Sequence, residues 1–262
     1  MRAIRIVMQS LETLVRDLKL KRGRERRGLA LAEGVRLVEE VVANGLKIRA
    51  ALVSPALEGT PRGAALAADL RARSVKVETL GDRELAELAA TEHPQGVIVV
   101  IEPKRYTLDD INLGKKGVVL VLDAVQDPGN VGTMIRTAYG LGASGVIALP
   151  GTAEANNPKV LRATMGAAFR LPVVPAPADP VLGWLAKHKA EIWAADSGGS
   201  AVPVARRASP VALVVGNEGA GLSPQLLEAA TRRVGVPLAA GAESLNVGIA
   251  AGILLYETLR DA

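Results

Sequence analysis

Residues 118–122 read Val-Val-Leu-Val-Leu, an apolar run with no polar alternation. A strand with one wet face alternates apolar and polar side chains, so a run like this one needs cover on both faces, which a parallel sheet flanked by helices provides. The expected class is α/β. The chain around the run alternates in the way such a sheet requires. Asp127-Pro128-Gly129-Asn130 turns into a helix over 131–141, followed by a strand at 145–149, a helical turn at 157–165 and a helix at 181–187. Strands at 192–195 and 211–215, a helix at 224–230 and a short β run at 234–237 complete the pattern.

The last stretch, VGVPLAAGAESLNVGIAAGILLYETL, sets a small-residue loop (239–243) before a long apolar helix, with Ser244 where an N-cap should stand. Gly, Ala and Pro leave the loop backbone within reach of a ligand. From Leu245 onward apolar residues occupy every side, so the helix expects partners all round, in its own core and in a subunit interface. Gly248 and Gly252, four apart, permit another backbone to approach closely.

The first hundred residues alternate as well. A helix is expected over 9–21 from Leu11, Leu14, Val15 and Leu18, and a strand at 29–32. A helix opening at Glu33-Gly34, a strand at 48–53, an Ala-rich helix at 63–71, a strand at 75–77, a helix at 82–89 and a strand at 97–101 follow. Residues 102–116, with Pro103, Asn112, Gly114 and mixed charge, break the pattern. The organisation expected is a domain over 1–105, a linker at 106–116 and a second domain over 117–262.

Composition narrows the chemistry. The absence of cysteine excludes disulfides, thiolate catalysis and Cys-based zinc sites, and two distant histidines, His93 and His188, make no metal site. No apolar run reaches membrane-spanning length and no signal peptide is expected, so the expected compartment is the cytoplasm. The net charge is +5, and its whole excess lies in residues 1–105, with 19 Lys+Arg against 14 Asp+Glu; residues 106–262 hold 13 of each. The densest run is Lys19 to Arg27, KLKRGRERR, readable as a solvated helix end or as a set of phosphate contacts. With two Trp, three Tyr and one Phe, the chain has little on which to stack bases, so recognition of nucleic acid would rest on backbone and shape.

Gly140-x-Gly142-x-x-Gly145 spells a dinucleotide fingerprint but follows a helix and precedes a strand. Pyrophosphate binding needs the opposite order, so these glycines read as a helix C-cap and a tight turn. Three other stretches each follow a strand and open a helix: LDAVQDPGNVGTMIRTAYGLGA, LVVGNEGAGLS and ESLNVGIAAGILLYE. Taken singly, Asn130 is a helix cap, Arg136 a solvated helix residue, Gly216-Asn217-Glu218-Gly219 a glycine turn and Ser244 a cap.

Taken in order, Asn130-x-Gly132-x-x-x-Arg136-Thr137-Ala138, Gly216-Asn217-Glu218-Gly219-x-Gly221-Leu222-Ser223 and Ser244-Leu245-Asn246-Val247 resemble the three motifs of the SpoU-type (TrmH-like) RNA ribose methyltransferases of the SPOUT superfamily. Asn157-Pro158-Lys159 and ATMGAAFRLPV (163–173) are similar too, and Glu33-Gly34-x-Arg36 with Glu92-x-Pro94-Gln95-Gly96 resembles the family's substrate-binding domain. The resemblance lapses at 1–10, where the usual Ser…Asn-Pro opening is absent.

The resemblance implies a small ribosomal-protein-like domain before a parallel-sheet domain with a C-terminal trefoil knot, a homodimer, S-adenosylmethionine as cofactor, and methylation of a ribose 2′-hydroxyl in RNA. It favours 23S ribosomal RNA over transfer RNA. By the same resemblance Arg136, Asn130, Glu218, Ser244 and Asn246 are catalytic, with Glu218 either fixing Arg136 or taking the proton. Gly216, Asn217, Gly219, Val236, Leu238, Ser244 and Leu245 are the expected cofactor contacts, and Lys19, Lys21, Arg22, Arg24, Arg26, Arg27 and Arg36 the RNA contacts. A guanidinium with a pKa above ~12 is a poor base, so Arg136 is expected to bind phosphate and steady the developing oxyanion. A non-enzymatic RNA-binding factor and a nicotinamide oxidoreductase are the rival readings; the first predicts no cofactor binding and the second rests on the misplaced glycines.

Overall fold

A computed structural model of the chain describes residues 10–73, 75–203 and 208–260, so the unassigned opening lies, apart from Ser10, outside the described residues. The backbone divides into two compact units, residues up to Lys104 with Asn156–Pro158, and Arg105–Ala155 with Lys159 onward.

The first unit contains α1 (Leu11–Lys19), α2 (Lys21–Arg27), β1 (Ala30–Glu33), α3 (Val35–Ala43), β2 (Lys47–Val53), α4 (Pro55–Glu58), α5 (Pro61–Ala72), β3 (Lys76–Thr79), α6 (Asp82–Leu88) and β4 (Val97–Glu102). Its sheet runs β1-β4-β2-β3, antiparallel on either side of β4 and parallel between β2 and β3. Leu11, Val15 and Leu18 recur at helical spacing along α1, and that stripe packs on Leu31, Leu52, Ile98 and Val100 of the sheet with Leu85 and Leu88 of α6. The basic run, readable as a solvated helix end or as a set of phosphate contacts, forms a helix of its own: the chain turns extended at Leu20, and left-handed Gly28 (φ 64°) closes α2.

In the second unit a short 3-10 turn (Leu108–Asp110) leads to β5 (Val118–Leu122), α7 (Pro128–Leu141), β6 (Gly145–Ala148), α8 (Pro158–Thr164), β7 (Val173–Pro175), α9 (Ala178–Lys187), β8 (Glu191–Ser200), β9 (Val211–Val215), α10 (Pro224–Ala229), β10 (Arg232–Val234) and α11 (Val247–Leu259). The six strands lie in the order β10-β8-β9-β5-β6-β7, every neighbouring pair parallel. The unbroken apolar run is now explained. Val118, Leu120 and Leu122 enter one core with Val131, Met134, Ile135 and Ala138 of α7 and Ala251, Leu254 and Leu255 of α11. Val119 and Val121 enter the other, with Val181, Trp184 and Leu185 of α9 and Leu226 of α10. At ~1.5–3 kcal/mol for each fully buried large side chain, these two cores outweigh any single polar contact described below.

The segment expected as a linker, 106–116, belongs to the second unit, because Ile111 and Leu113 are buried in its α9-side core. Helix α7 begins three residues before the expected 131: Asp127 Oδ1 accepts the N–H of Asn130 at 2.7 Å, and Pro128 fits the first helical position. The cap of α11 is Asn246 rather than Ser244, its Oδ1 accepting the N–H groups of Gly248 (2.9 Å) and Ile249 (3.3 Å). Strand β10 ends at Val234, short of the expected 237. Gly142 is the left-handed C-cap of α7 (φ 83°), as its place after a helix implies.

Helix α11 packs along α7, with Gly248 beside Thr133 and Gly252 beside Thr137. Its other side is open: Ile249 (57% exposed), Ile253 (38%) and Tyr256 (52%) form an apolar stripe, so one chain covers the helix only in part. Within α7, Gly132 and Gly140 differ in environment. A Cβ on Gly132 would lie 2.4 Å from Ala163 Cβ and 2.8 Å from the Val160 carbonyl, where α8 crosses; one on Gly140 would meet nothing within 4 Å. Gly132→Ala should therefore destabilise by about 1–3 kcal/mol through overpacking. Gly140→Ala should stabilise by up to about 1 kcal/mol through helix propensity. Urea unfolding midpoints of the two variants, moving in opposite directions, check this.

Candidate active site

The carboxyl-terminal part of β8, the loop after β9, the segment after β10 and the start of α11 with the residues before it border a cavity of about 450 Å³. The carboxyl edge of a parallel sheet is where loops open a crevice for ligands. Close backbone contacts shape the walls. A Cβ on Gly216 would fall 2.4 Å from the carbonyl carbon of Gly221, and one on Gly235 would fall 2.6 Å from the Asp196 carbonyl oxygen. Only glycine lets these backbones meet, so Gly216 and Gly221 fold the 216–221 loop onto itself, with Asn217 and Gly221 exchanging N–H···O bonds of 2.9 and 3.0 Å. The Asn217 side chain fixes the same turn, its Oδ1 accepting Gly219 N–H and Ala220 N–H and its Nδ2 donating to the Ala124 carbonyl, each at 2.9 Å. Buried Asp123 then takes the N–H of Ser223 at 2.7 Å, so the loop is tied to the end of β5 from both sides.

At the cavity Glu218 Oε1 accepts Asn130 Nδ2–H at 3.0 Å, and Asn130 Oδ1 accepts Asn246 Nδ2–H at 3.0 Å. The order of donors and acceptors is dictated: a carboxylate can only accept, so Asn130 presents its amide N–H to Glu218 and its oxygen to Asn246. Asn246 spends its own oxygen on the α11 N-terminus. Three residues 88 and 116 positions apart thus form one chain of hydrogen bonds. Partial burial raises the Glu218 pKa, but the bond from Asn130 and those from the backbone N–H groups of Glu218, Gln126 and Asp127 outweigh it, leaving the carboxyl below its ordinary value of 4.5.

Of the expected cofactor contacts, Gly216, Asn217, Val236, Leu238, Ser244 and Leu245 line the cavity. Gly219 does not; it is exposed, with its N–H on Asn217 Oδ1. Glu218 and Asn246 line it too, whereas Arg136 stands on the exposed side of α7, outside the cavity, with no hydrogen bond or ion pair among the described residues. The expectation that Glu218 fixes Arg136 is replaced by its bond to Asn130, because Asp127, in capping α7, leaves the Asn130 side chain to point elsewhere. Sequence reasoning missed Ala195, Asp196, Ser197 and Gly235. A signal was present in the Asp-Ser-Gly-Gly that ends β8, a carboxylate and two glycines at the carboxyl end of a parallel strand.

The basic run of the first unit is used partly by the fold itself. Arg24 is buried and its Nη1 donates to the Leu18 and Lys19 carbonyls at 3.0 and 2.8 Å, satisfying the end of α1, which corrects its reading as an RNA contact. Lys19 donates to the Glu87 and Ala89 carbonyls (3.3 and 2.9 Å), and Arg26 and Arg27 bind Asp17 at 2.8 and 2.5 Å. Lys21 pairs loosely with Glu25 at 3.7 Å, while Arg22 and Arg36 are exposed with no hydrogen bond or ion pair among the described residues.

Because the Glu218 pKa is lower folded than unfolded, its contribution to stability is complete above about pH 4.5 and is lost as pH falls through the depressed folded value. Glu218→Gln should therefore be less stable than wild type at pH 7, with the gap narrowing below pH ~4. Denaturant unfolding of both proteins across that range reads the effect; a gap constant with pH would mean that the charge contributes nothing.

The SpoU rRNA Methylase family signature matches residues 117–256, and the MRM3-like substrate binding domain matches residues 14–99. The chain is 34% identical over 242 residues, 92% of each chain, to the 23S rRNA (guanosine(2553)-2'-O)-methyltransferase of Bacillus subtilis. It is 31% identical over 245 residues, covering 90% of this chain and 84% of the relative, to the 23S rRNA (uridine(2479)-2'-O)-methyltransferase of Streptomyces viridochromogenes. The crystal structure of an AdoMet-bound rRNA methyltransferase from Sinorhizobium meliloti superposes with a TM-score of 0.84 at 31% identity, over 99% of this chain and 97% of that one. The chain belongs to the SpoU rRNA methylase family, whose signature spans residues 117–256 behind a match to the MRM3-like substrate binding domain.

Proposed function

We propose that the chain transfers a methyl group from S-adenosylmethionine to a ribose 2′-hydroxyl of 23S ribosomal RNA. The observation that carries this is the chain of bonds Glu218–Asn130–Asn246 bordering a cavity made largely of backbone and small apolar residues. The cofactor fits what is there: about 450 Å³ lies within the range for ligands of its size, and Val236, Leu238, Leu245 and Leu254 offer an apolar slot beside reachable backbone groups. It supplies an electrophilic methyl carbon on a positively charged sulfur.

The protein's part is placement and electrostatics. Asn130 and Asn246, their amides locked by Glu218 and by the helix start, orient the ribose at the cavity mouth. Glu218 acts as an anchor for Asn130. The bonds from Asn130 and the neighbouring backbone N–H groups hold its carboxyl below the ordinary carboxylate value, which favours the ionised, accepting form that anchors Asn130. Arg136, exposed and with no hydrogen bond or ion pair among the described residues, binds the neighbouring phosphate and steadies the developing 2′-oxyanion; Ser244, on the cavity wall, passes the proton to water. In the first unit Arg22 and Arg36 offer open charges to RNA, with Lys21, Arg26 and Arg27 adding to the field.

The apolar stripe of α11 supports a homodimer, in which a second copy covers Ile249, Ile253 and Tyr256. Among the described residues no helix is long and apolar enough to cross a membrane, and with ribosomal RNA as substrate the place of action is the cytoplasm. For the chain segment before α11 we propose the trefoil knot that the resemblance implies.

Labelled methyl from S-adenosylmethionine, offered to unmodified ribosomal and transfer RNA and traced by nucleoside analysis, tests the proposal: label in a 2′-O-methylated nucleoside of ribosomal RNA is expected. Label confined to transfer RNA would move the substrate, and absence of cofactor binding would favour the non-enzymatic reading. Arg136→Ala should lower the transfer rate at least about a hundredfold. Its cofactor Kd by calorimetry should stay within about threefold of wild type, and an equal loss of both would contradict the division of roles. Ile249→Asp should yield monomers in analytical ultracentrifugation, whereas an unchanged oligomer would exclude α11 from the interface.

A further inference from the structure

Residues 11–27 carry seven Lys and Arg against three Asp and Glu, and one large apolar side chain stands open among them. Leu20 is 48% exposed; every other exposed large apolar side chain among the described residues belongs to the second unit. Leu20 is part of neither helix. Its backbone is extended (φ −89°, ψ 140°), which leaves the side chain at the corner between α1 and α2. Several contacts fix that corner. Leu20 N–H donates to the Asp17 carbonyl at 3.1 Å, and the Leu20 carbonyl accepts the N–H groups of Gly23 and Arg24 at 3.0 and 3.2 Å. A Cβ on Gly23 would lie 2.0 Å from the Asp17 carbonyl oxygen, so only glycine lets α2 turn this tightly against α1. Buried Arg24 holds the carbonyls of Leu18 and Lys19, and Asp17 holds Arg26 and Arg27. Lys19 is engaged by the Glu87 and Ala89 carbonyls. Two cations next to Leu20 stay available: Lys21, 68% exposed and 3.7 Å from Glu25, and Arg22, exposed with no hydrogen bond or ion pair among the described residues. A buried arginine and a tightly packed glycine thus support a turn whose outer surface is one leucine and two cations.

We infer that the α1–α2 corner docks an unpaired segment of the substrate RNA, with Leu20 covering the apolar face of one nucleotide and Lys21 and Arg22 holding the adjoining phosphates. The inference rests on the ribosomal RNA reading above. A nucleotide sets an apolar base and sugar between anionic phosphates, and the corner sets an apolar side chain beside two cations, so the two surfaces are complementary in both charge and polarity. Inside a duplex the base faces are stacked on one another and a leucine finds none to cover, so the corner takes a nucleotide from a loop or bulge. The chain has few aromatic side chains, and an aliphatic one also removes base surface from water. Leucine makes no hydrogen bond to a base edge, so the contact positions the RNA and does not select its sequence.

Filter-binding Kd values for unmodified 23S ribosomal RNA, measured between about 50 and 200 mM salt on the full-length protein, test it. Leu20→Ser should weaken binding about fivefold to tenfold and keep the wild-type slope of log Kd against log salt, because an apolar contact releases no counterions. Lys21→Gln combined with Arg22→Gln should weaken binding about tenfold at the lowest salt and reduce the slope by about 0.7 for each charge removed, the value for a single strand. Lys76→Gln, on the exposed edge strand β3, should leave affinity within about twofold. Wild-type affinity in Leu20→Ser would leave the leucine to another partner, such as an acidic protein surface, and overturn the inference. Loss in Lys76→Gln equal to that in the double variant would overturn it also, by reducing the corner to part of a general field. A changed sedimentation of Leu20→Ser without RNA would assign the leucine to a second copy of the chain, with the same result. Failure of wild type to bind ribosomal RNA would instead overturn the substrate reading beneath it.

Discussion

Strands β5 and β9 are buried on both faces, and the second unit depends on that constraint. Alternate residues of each strand enter opposite cores, so helices must cover both sides and the strands must run parallel. The polar chemistry is then left to the strand ends. Asp123 at the end of β5, Gly216 to Glu218 after β9 and Asp196 near the end of β8 all occupy the same sheet edge, although the chain visits them far apart in sequence. Two apolar cores set the frame, and hydrogen bonds of about 0.5–1.5 kcal/mol each, more where a charge takes part, set the orientation of side chains within it.

Much of this is legible from residue patterns. The runs at 118–122 and 211–215 can only be buried strands, and both are found with those bounds. The spacing of Leu11, Val15 and Leu18 defines α1 and its buried face. The boundaries that differ do so through local chemistry that competes with pattern: Asp127 followed by Pro128 starts α7 early, and Asn246 caps α11 more completely than Ser244 could by accepting two N–H groups. Helix α2 was hidden because charge says nothing of whether a basic segment is helical, and burial of Arg24 depends on where α1 ends.

The candidate site was legible by motif but not by geometry. Glycine spacing marks loops of close backbone approach, yet it does not say that Gly132 faces α8 while Gly216 faces its own turn. The partner of Glu218 follows from which side chain Asp127 leaves available, a matter of three dimensions. Asp196 belongs to no motif, and only the fold brings it to the cavity wall. Placement of fixed charge, rather than proton transfer by a strong base, is the common theme of Arg136 and Glu218 in the proposed reaction.

The measurement that tests the central claim most directly is a crystal structure of the protein grown with S-adenosylmethionine. The account predicts the cofactor between the ends of β8 and β9 and the segment before α11, against Gly216, Val236, Leu238 and Leu245, with its methyl carbon directed toward the Asn130–Asn246 pair. A cofactor bound elsewhere, or one in this cavity with its methyl turned away from that pair, would contradict it.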